Sequence, residues 1–416
     1  MAAFFPFTQS MQVYNVSVRS TMRLPARFAS TLSLMRLLPA FLAAALGLTT
    51  RAYAAAPGDQ LFYIGTYNSP TSKGVYASYL NPETGELSAP VLADEMTNSS
   101  AILVSADGRF VYACNEVGTF RGKPTGSVTA CQISGDGTHF RRLNQESSEG
   151  KGPCALSFSK KGDAVFIANY DGGNIAALPI KQNGELGKAK SIIQHTGSSL
   201  NPTRQERPHA HEIVSDPQGE YVYAVDLGLD RIKVYRYDED KGLLNATPER
   251  DIVVKPGTGP RHIVFNKAGD RVYVLGEMAS NLTVYKLDRT SGFSEVMETL
   301  SLLPDDFHGE NLSAELQMDR AGKYLYASNR GDDSIVTLEI ENDGQVKYIQ
   351  RMSCGGKTPR NFVLDPTGHF LLSANQDSNS IVVFKIDAET GELHPGIGKI
   401  SVGKPVSLVF SPARFL

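Results

Sequence analysis

Tryptophan is missing from this 416-residue chain, and cysteine occurs only four times. There is no Cys-x-x-Cys pair and no Cys/His spacing of the zinc type, so no cysteine-based metal module is encoded. No run of like charge interrupts a net charge of −3, which removes the electrostatic footprint of a nucleic-acid binder. No amphipathic helix, phosphate-cradling glycine loop or nucleophile elbow is found, which argues against nucleotide and serine-hydrolase chemistry. The apolar run Leu37–Leu48 falls short of the roughly 20 residues that a bilayer-spanning helix needs. What the chain does have is glycine, tyrosine and phenylalanine, the composition of many short strands and tight turns. Its length exceeds the usual single core, so the expectation is either several domains or a repeat.

The amino end reads as an address. Arg36 precedes the apolar run, and Ala52-Tyr53-Ala54 forms an A-x-A-like cleavage site. Residues 1–54 are therefore assigned to a signal or targeting segment ending near Ala54, and residues 58–416 to one folded domain. Export, to a periplasm for instance, follows, with no stable membrane insertion after processing. The competing reading is an uncleaved anchor or an organelle transit peptide, because "VSVRSTMRLPARFAS" is rich in Arg and Ser and has no acid. An oxidising compartment would let cysteines pair. Cys114 and Cys131, on neighbouring strands, are then the candidate pair, against buried free thiols for all four.

The repeat is the dominant signal. "AILVSADGRFVYACNE", "CALSFSKKGDAVFIANY", "AHEIVSDPQGEYVYAVD", "RHIVFNKAGDRVYVLGE", "SAELQMDRAGKYLYASNR" and "RNFVLDPTGHFLLSANQ" align. Each is a strand, a turn ending in Gly, and a second β-branched or aromatic strand. The turn glycines run from Gly108 to Gly368 at spacings of 46 to 57 residues. A third and a weaker fourth strand follow most copies, which is the signature of a propeller blade. "LFYIGTYNS" with "GVYASYLN" at the front and "PVSLVFSP" at the end are complementary pieces of one more blade. The fold class is thus all-β: a single-domain, seven-bladed β-propeller closed by pairing of its amino- and carboxyl-terminal strands. Closure also removes exposed sheet edges.

The topology says where chemistry belongs. The start of each first strand and the end of each second strand lie on one rim, at the mouth of the central channel. The starts supply His209, His211, Arg261, His262, Glu315, Arg360 and Asn361. The ends supply Glu116, Asp226, Glu277, Arg330 and Gln376. Charged groups facing a channel are costly to desolvate without partners. Their gathering points to a site for a polar, anionic ligand, against ion pairs that lock blade to blade. On a strand, residues i and i+2 share a face, so His209 and His211 in "RPHAHEI" are expected to point the same way.

"RPHAHEI", "GTGPRHIVFN", "VYVLGEMASNLTVY", "LSAELQMDRAGKYLYASNRGDDSI" and "TPRNFVLDPTGHFLLSANQ" resemble the lactonase family of seven-bladed propellers over roughly residues 60 to 412. That family includes propeller-type 6-phosphogluconolactonases and the fungal carboxy-muconate cyclase. The resemblance implies hydrolysis of a sugar lactone, 6-phosphogluconolactone or a related aldonolactone, without a cofactor. It places a catalytic histidine, glutamate and arginines on His209, Arg261, Glu277 and Arg330. His211, His262, Glu315, Arg360 and Asn361 are left to bind substrate. Two departures stand out: an exported chain would meet little phosphosugar, and "GEM" replaces the Asn-Glu frequent in relatives.

The side-chain types suit lactone hydrolysis. Glu277 would activate water if burial raises its pKa toward neutrality. Arg261 or Arg330 would steady the oxyanion, and His209 would protonate the leaving alkoxide. The competing readings are a cyclase or isomerase of an unsaturated dicarboxylate, a non-enzymatic binding propeller, and a zinc site built on His-x-His with Glu277 or Asp226.

Overall fold

The repeat is a four-stranded antiparallel sheet, and seven of them make up the fold in a computed structural model that describes residues 55–412. The expected export segment, residues 1–54, lies outside the described residues. From one to seven, the blades take their innermost strands from Pro405–Phe410, Ile102–Val104, Pro153–Phe158, Ala210–Ser215, Pro260–Phe265, Leu312–Met318 and Pro359–Leu364. Inner strands of neighbouring blades touch one another around the axis. In blade 1 the carboxyl-terminal Pro405–Phe410 pairs antiparallel with the amino-terminal Gln60–Thr66, closing the ring as expected.

Burial explains why the second strands are the most apolar. Tyr221–Asp226, Phe370–Asn375 and Ala164–Asn169 are buried at every position because a blade lies against each face. Fourth strands such as Ser294–Ser301 alternate between half-buried and exposed. The core is divided into layers between blades. Tyr223 and Val225 of blade 4, for example, pack on Val272 and Val274 of blade 5. Tyrosine does here what tryptophan often does elsewhere. Tyr63, Tyr112, Tyr273 and Tyr326 fill these layers, and each hydroxyl donates to a turn-glycine carbonyl of the next blade, at 2.8 to 3.0 Å. The turn between the first two strands requires glycine: Gly219, for instance, has φ +75°.

Of the two readings open for the cysteines, free thiols hold. Cys114 and Cys131 are free, as are Cys154 and Cys354. Cys114 stands opposite Val128 in the ladder and Cys131 opposite Val111, so the two thiols lie on opposite faces of their sheet and cannot pair. Blade 4 departs from the four-strand pattern. Its outer edge breaks after Leu243–Ala246, where Pro248 has no N–H for the ladder, and resumes at Ile252–Val253.

Candidate active site

The inner strands share a local irregularity that builds the site. In six of the seven, the register slips by one residue at the channel mouth: Ala210 faces Asp226, but Glu212 already faces Val225. A bulge of this kind turns two successive residues off the strict alternation. The bulge residue and its successor are His211–Glu212 in blade 4, Arg261–His262 in blade 5, Ala314–Glu315 in blade 6 and Arg360–Asn361 in blade 7. Small residues occupy the matching places in the other blades, among them Cys154–Ala155 and Val406–Ser407. All of these but Ala314 line a cavity of about 190 Å3, polar on the side of blades 4 to 7 and lined on the other by residues such as Ser100, Ala101 and Ala155.

The two histidines both touch the Tyr170 ring but differ in what they line. His211 reaches the cavity, 5.4 Å ring to ring from His262, whereas His209 precedes the strand and is not part of the lining. His209 instead stacks on Tyr170 at 4.5 Å, with Nδ1 at 3.1 Å from the Tyr170 carbonyl and Nε2 at 3.5 Å from Glu206. His211 is held neutral: burial drives its pKa well below the ordinary value, reinforced by Arg261. Its Nδ1 is buried without a hydrogen-bond partner among the described residues.

Glu277 sits at the centre of an arginine cluster. Its Oε2 accepts from Arg261 Nε at 3.0 Å and Arg330 at 2.9 Å, and its Oε1 from Arg204 at 2.6 Å. Only 4 % of Glu277 is exposed. The expectation that burial lifts its pKa is therefore corrected. Burial does push upward, but Arg330, Arg261 and Arg204 prevail and hold the carboxyl at about 2. Arg330 also donates to the Leu312 carbonyl, and Arg261 to the Ala314 carbonyl. Burial lowers the pKa of both guanidinia, that of Arg330 to about 9, and both remain charged at neutral pH.

A second network runs through Glu315. It accepts from Asn361 and, at 3.0 Å, from His262 Nδ1. His262 Nε2 lies 3.1 Å from Arg261 NH1. Arg360 is placed differently from the other arginines. It lies over the Tyr67 ring at 5.3 Å, and Tyr67 in turn bonds Glu116 at 2.8 Å. Among the described residues Arg360 has no carboxylate within ion-pair distance, and it faces the cavity.

Three contributors escaped the sequence reading: Arg204, Tyr170 and Glu212. Arg204 comes from the long loop between Ser191–Gln194 and Ala210–Ser215 and also bonds the Tyr170 hydroxyl at 3.1 Å. No periodicity marks such a loop residue. Glu212 is the third, and its place directly after His211 was a usable signal once the repeats are aligned. Asp226, a possible third zinc ligand, is fully buried and fastens that loop instead: it accepts from the backbone N–H groups of His209 and Leu229 and bonds His195 at 2.6 Å. Among the described residues no group of three or more His, Cys, Asp or Glu side chains converges as metal ligands would.

A family model described as "Lactonase, 7-bladed beta-propeller" matches residues 61–410. A 6-phosphogluconolactonase of Bacillus subtilis is 32% identical over 349 residues, 84% of this chain and 97% of the relative. Another protein of that name, from Formosa agariphila, is 30% identical over 80% of this chain and 94% of its own length. Among solved structures, a periplasmic gluconolactonase of Pseudomonas aeruginosa superposes with a TM-score of 0.80 at 30% identity, covering 86% of this chain and 99% of its own.

Proposed function

The chain belongs to the seven-bladed β-propeller lactonase family, and from that premise we propose that it hydrolyses a sugar lactone in the cavity at the channel mouth. The observation that carries the site is the division of labour among its arginines. Three are tied to Glu277, and Arg360 is left facing a cavity with room for roughly six waters at ~30 Å3 each, the scale of one small molecule. Attack on a lactone carbonyl turns its oxygen into an oxyanion, and a guanidinium already in place and shielded from bulk water stabilises that charge. His211, neutral with one ring nitrogen unpartnered among the described residues, and Asn361 and His262 at the cavity wall supply orienting hydrogen bonds to the sugar hydroxyls. In this reading Glu277 is the fixed anion that positions Arg261 and Arg330.

The proposed substrate is unphosphorylated, glucono-δ-lactone or a close aldonolactone. A phosphate dianion in the cavity would compete with the oxyanion for Arg360. Export of the chain through its amino-terminal segment, cleaved near Ala54, is part of the same proposal. Arg36, the apolar run and the A-x-A pattern support it, as does the likeness to a periplasmic gluconolactonase.

The test follows acid release from glucono-δ-lactone and from 6-phosphoglucono-δ-lactone, each with and without EDTA. The proposal requires turnover above spontaneous hydrolysis, insensitive to EDTA and faster on the unphosphorylated lactone. Folded protein that turns over neither lactone would reject it and favour the cyclase chemistry.

A further inference from the structure

Lactone hydrolysis needs a group that accepts a proton from water and returns it to the ring oxygen. Glu277 is too strongly held by arginines to do this, and His209 stands outside the cavity lining. Two carboxyl groups face the cavity, Glu212 and Glu315. Glu315 is engaged by His262, Asn361 and the Leu316 N–H. Among the described residues Glu212 has one hydrogen-bond partner: its Oε2 accepts the Ile263 N–H of the next blade at 2.7 Å, which anchors the carboxyl without neutralising it.

We propose that Glu212 is the catalytic acid–base of this site. The assignment rests on the lactonase reading above. The bulge at His211 turns Glu212 to the cavity wall, and the Ile263 N–H fixes one oxygen while the other is left for water. The groups that face it are His211 from its own strand, Arg261 and His262 from blade 5, Glu315 from blade 6, Arg360 from blade 7 and Cys154 from blade 3. His211 is neutral, Arg261 is matched by Glu277, and the Cys154 thiol is pushed far up by burial. Burial raises the pKa of Glu212 to about 7, with Glu315 adding to the rise and His262 and Arg261 opposing it. A base poised there is half ionised at neutral pH and strong enough to accept a proton.

In the first step the water oxygen bonds the lactone carbonyl carbon, one water proton passes to Glu212, and the electron pair of the C=O bond becomes the oxyanion opposite Arg360. In the second the carbonyl re-forms, the bond from that carbon to the ring oxygen breaks, and Glu212 delivers its proton to the departing oxygen. The product is the open hydroxy acid, which then loses its own proton to solvent. Lactone and water are consumed one for one, and Glu212 ends as it began.

The decisive comparison is kcat/KM on glucono-δ-lactone from about pH 5.5 to about pH 8 for wild type, Glu212→Gln and Glu212→Ala. The amide of Glu212→Gln still accepts the Ile263 N–H but cannot carry the proton, so a merely structural role would leave its rate alone. The wild-type rate is expected to rise with an inflection near pH 7, where Glu212 ionises. Glu212→Gln is expected to fall ~100-fold or more and lose that inflection. Added formate is expected to restore part of the Glu212→Ala rate. An active wild type with no inflection near pH 7, or a folded Glu212→Gln within ~10-fold of it, overturns the assignment but leaves the lactonase reading intact. An inactive, folded wild type overturns both.

Discussion

Replacing Glu277 by Gln removes the anion that Arg204, Arg261 and Arg330 share. Arg261 is 4 % exposed at its side chain and Arg330 12 %, so neither can turn to bulk water, whereas Arg204, at 34 %, can swing outward. Breaking a buried ion pair from one side costs about 3–5 kcal/mol. The escape open to Arg204 favours the lower end. The pH dependence identifies the cause. A carboxyl depressed to about 2 contributes its full stability above its ordinary pKa of 4.5 and loses it only as pH falls from there toward 2. The stability gap between wild type and Glu277→Gln, read by urea unfolding, is therefore expected to be constant from pH 8 to pH 5 and to shrink below about pH 4.5. A gap under about 1 kcal/mol would refute the account of the arginine cluster. So would a gap that changes between pH 5 and 8, because Glu277 would then titrate near neutrality as a general base does.

Glu212 carries the opposite sign. With its pKa raised from 4.5 to about 7, the folded state holds its proton where the unfolded chain has lost it, so stability falls as pH rises between those values. Melting curves are expected to show Glu212→Gln more stable than wild type by about 3 kcal/mol at pH 8, with no gain at pH 4. Tyr273→Phe removes the hydroxyl that bonds the Gly344 carbonyl of blade 6 and is expected to cost about 1 kcal/mol in unfolding assays, with kcat/KM unchanged. The four thiols are free, and Cys114, Cys131 and Cys354 are fully buried. A thiol reagent is expected to label the native protein slowly and the unfolded protein at all four sites, and electrophoretic mobility is expected to be the same with and without reductant.

The seven blades, the closing strand and the turn glycines were legible in the sequence because each rests on local rules: alternation, the apolar second strand and a turn that needs positive φ. Collecting the mouth residues needed only the topology. Their individual roles were not legible, because facing at the mouth depends on the bulge, which is set by pairing across the sheet and not by any glycine at the site. Strict alternation therefore grouped His209 with His211, while the structure groups His211 with Glu212. The repeats carry a trace of this when aligned: Pro153, Pro260, Pro359 and Pro405 each stand just before the bulge residue, where a missing N–H costs the ladder least. The state of Glu277 was equally beyond a linear reading, since Arg204 reaches it from a loop 73 residues away in sequence.

The central claim is that a sugar lactone is opened in this cavity with Arg360 at the oxyanion. It is tested most directly by measuring kcat on glucono-δ-lactone for wild type and Arg360→Gln side by side. Arg360 has no carboxylate partner among the described residues, so the variant is expected to fold normally and to lose about 100-fold or more in kcat. Catalysis by wild type with an equally active Arg360→Gln would contradict the site, and no catalysis by folded wild type would contradict the function.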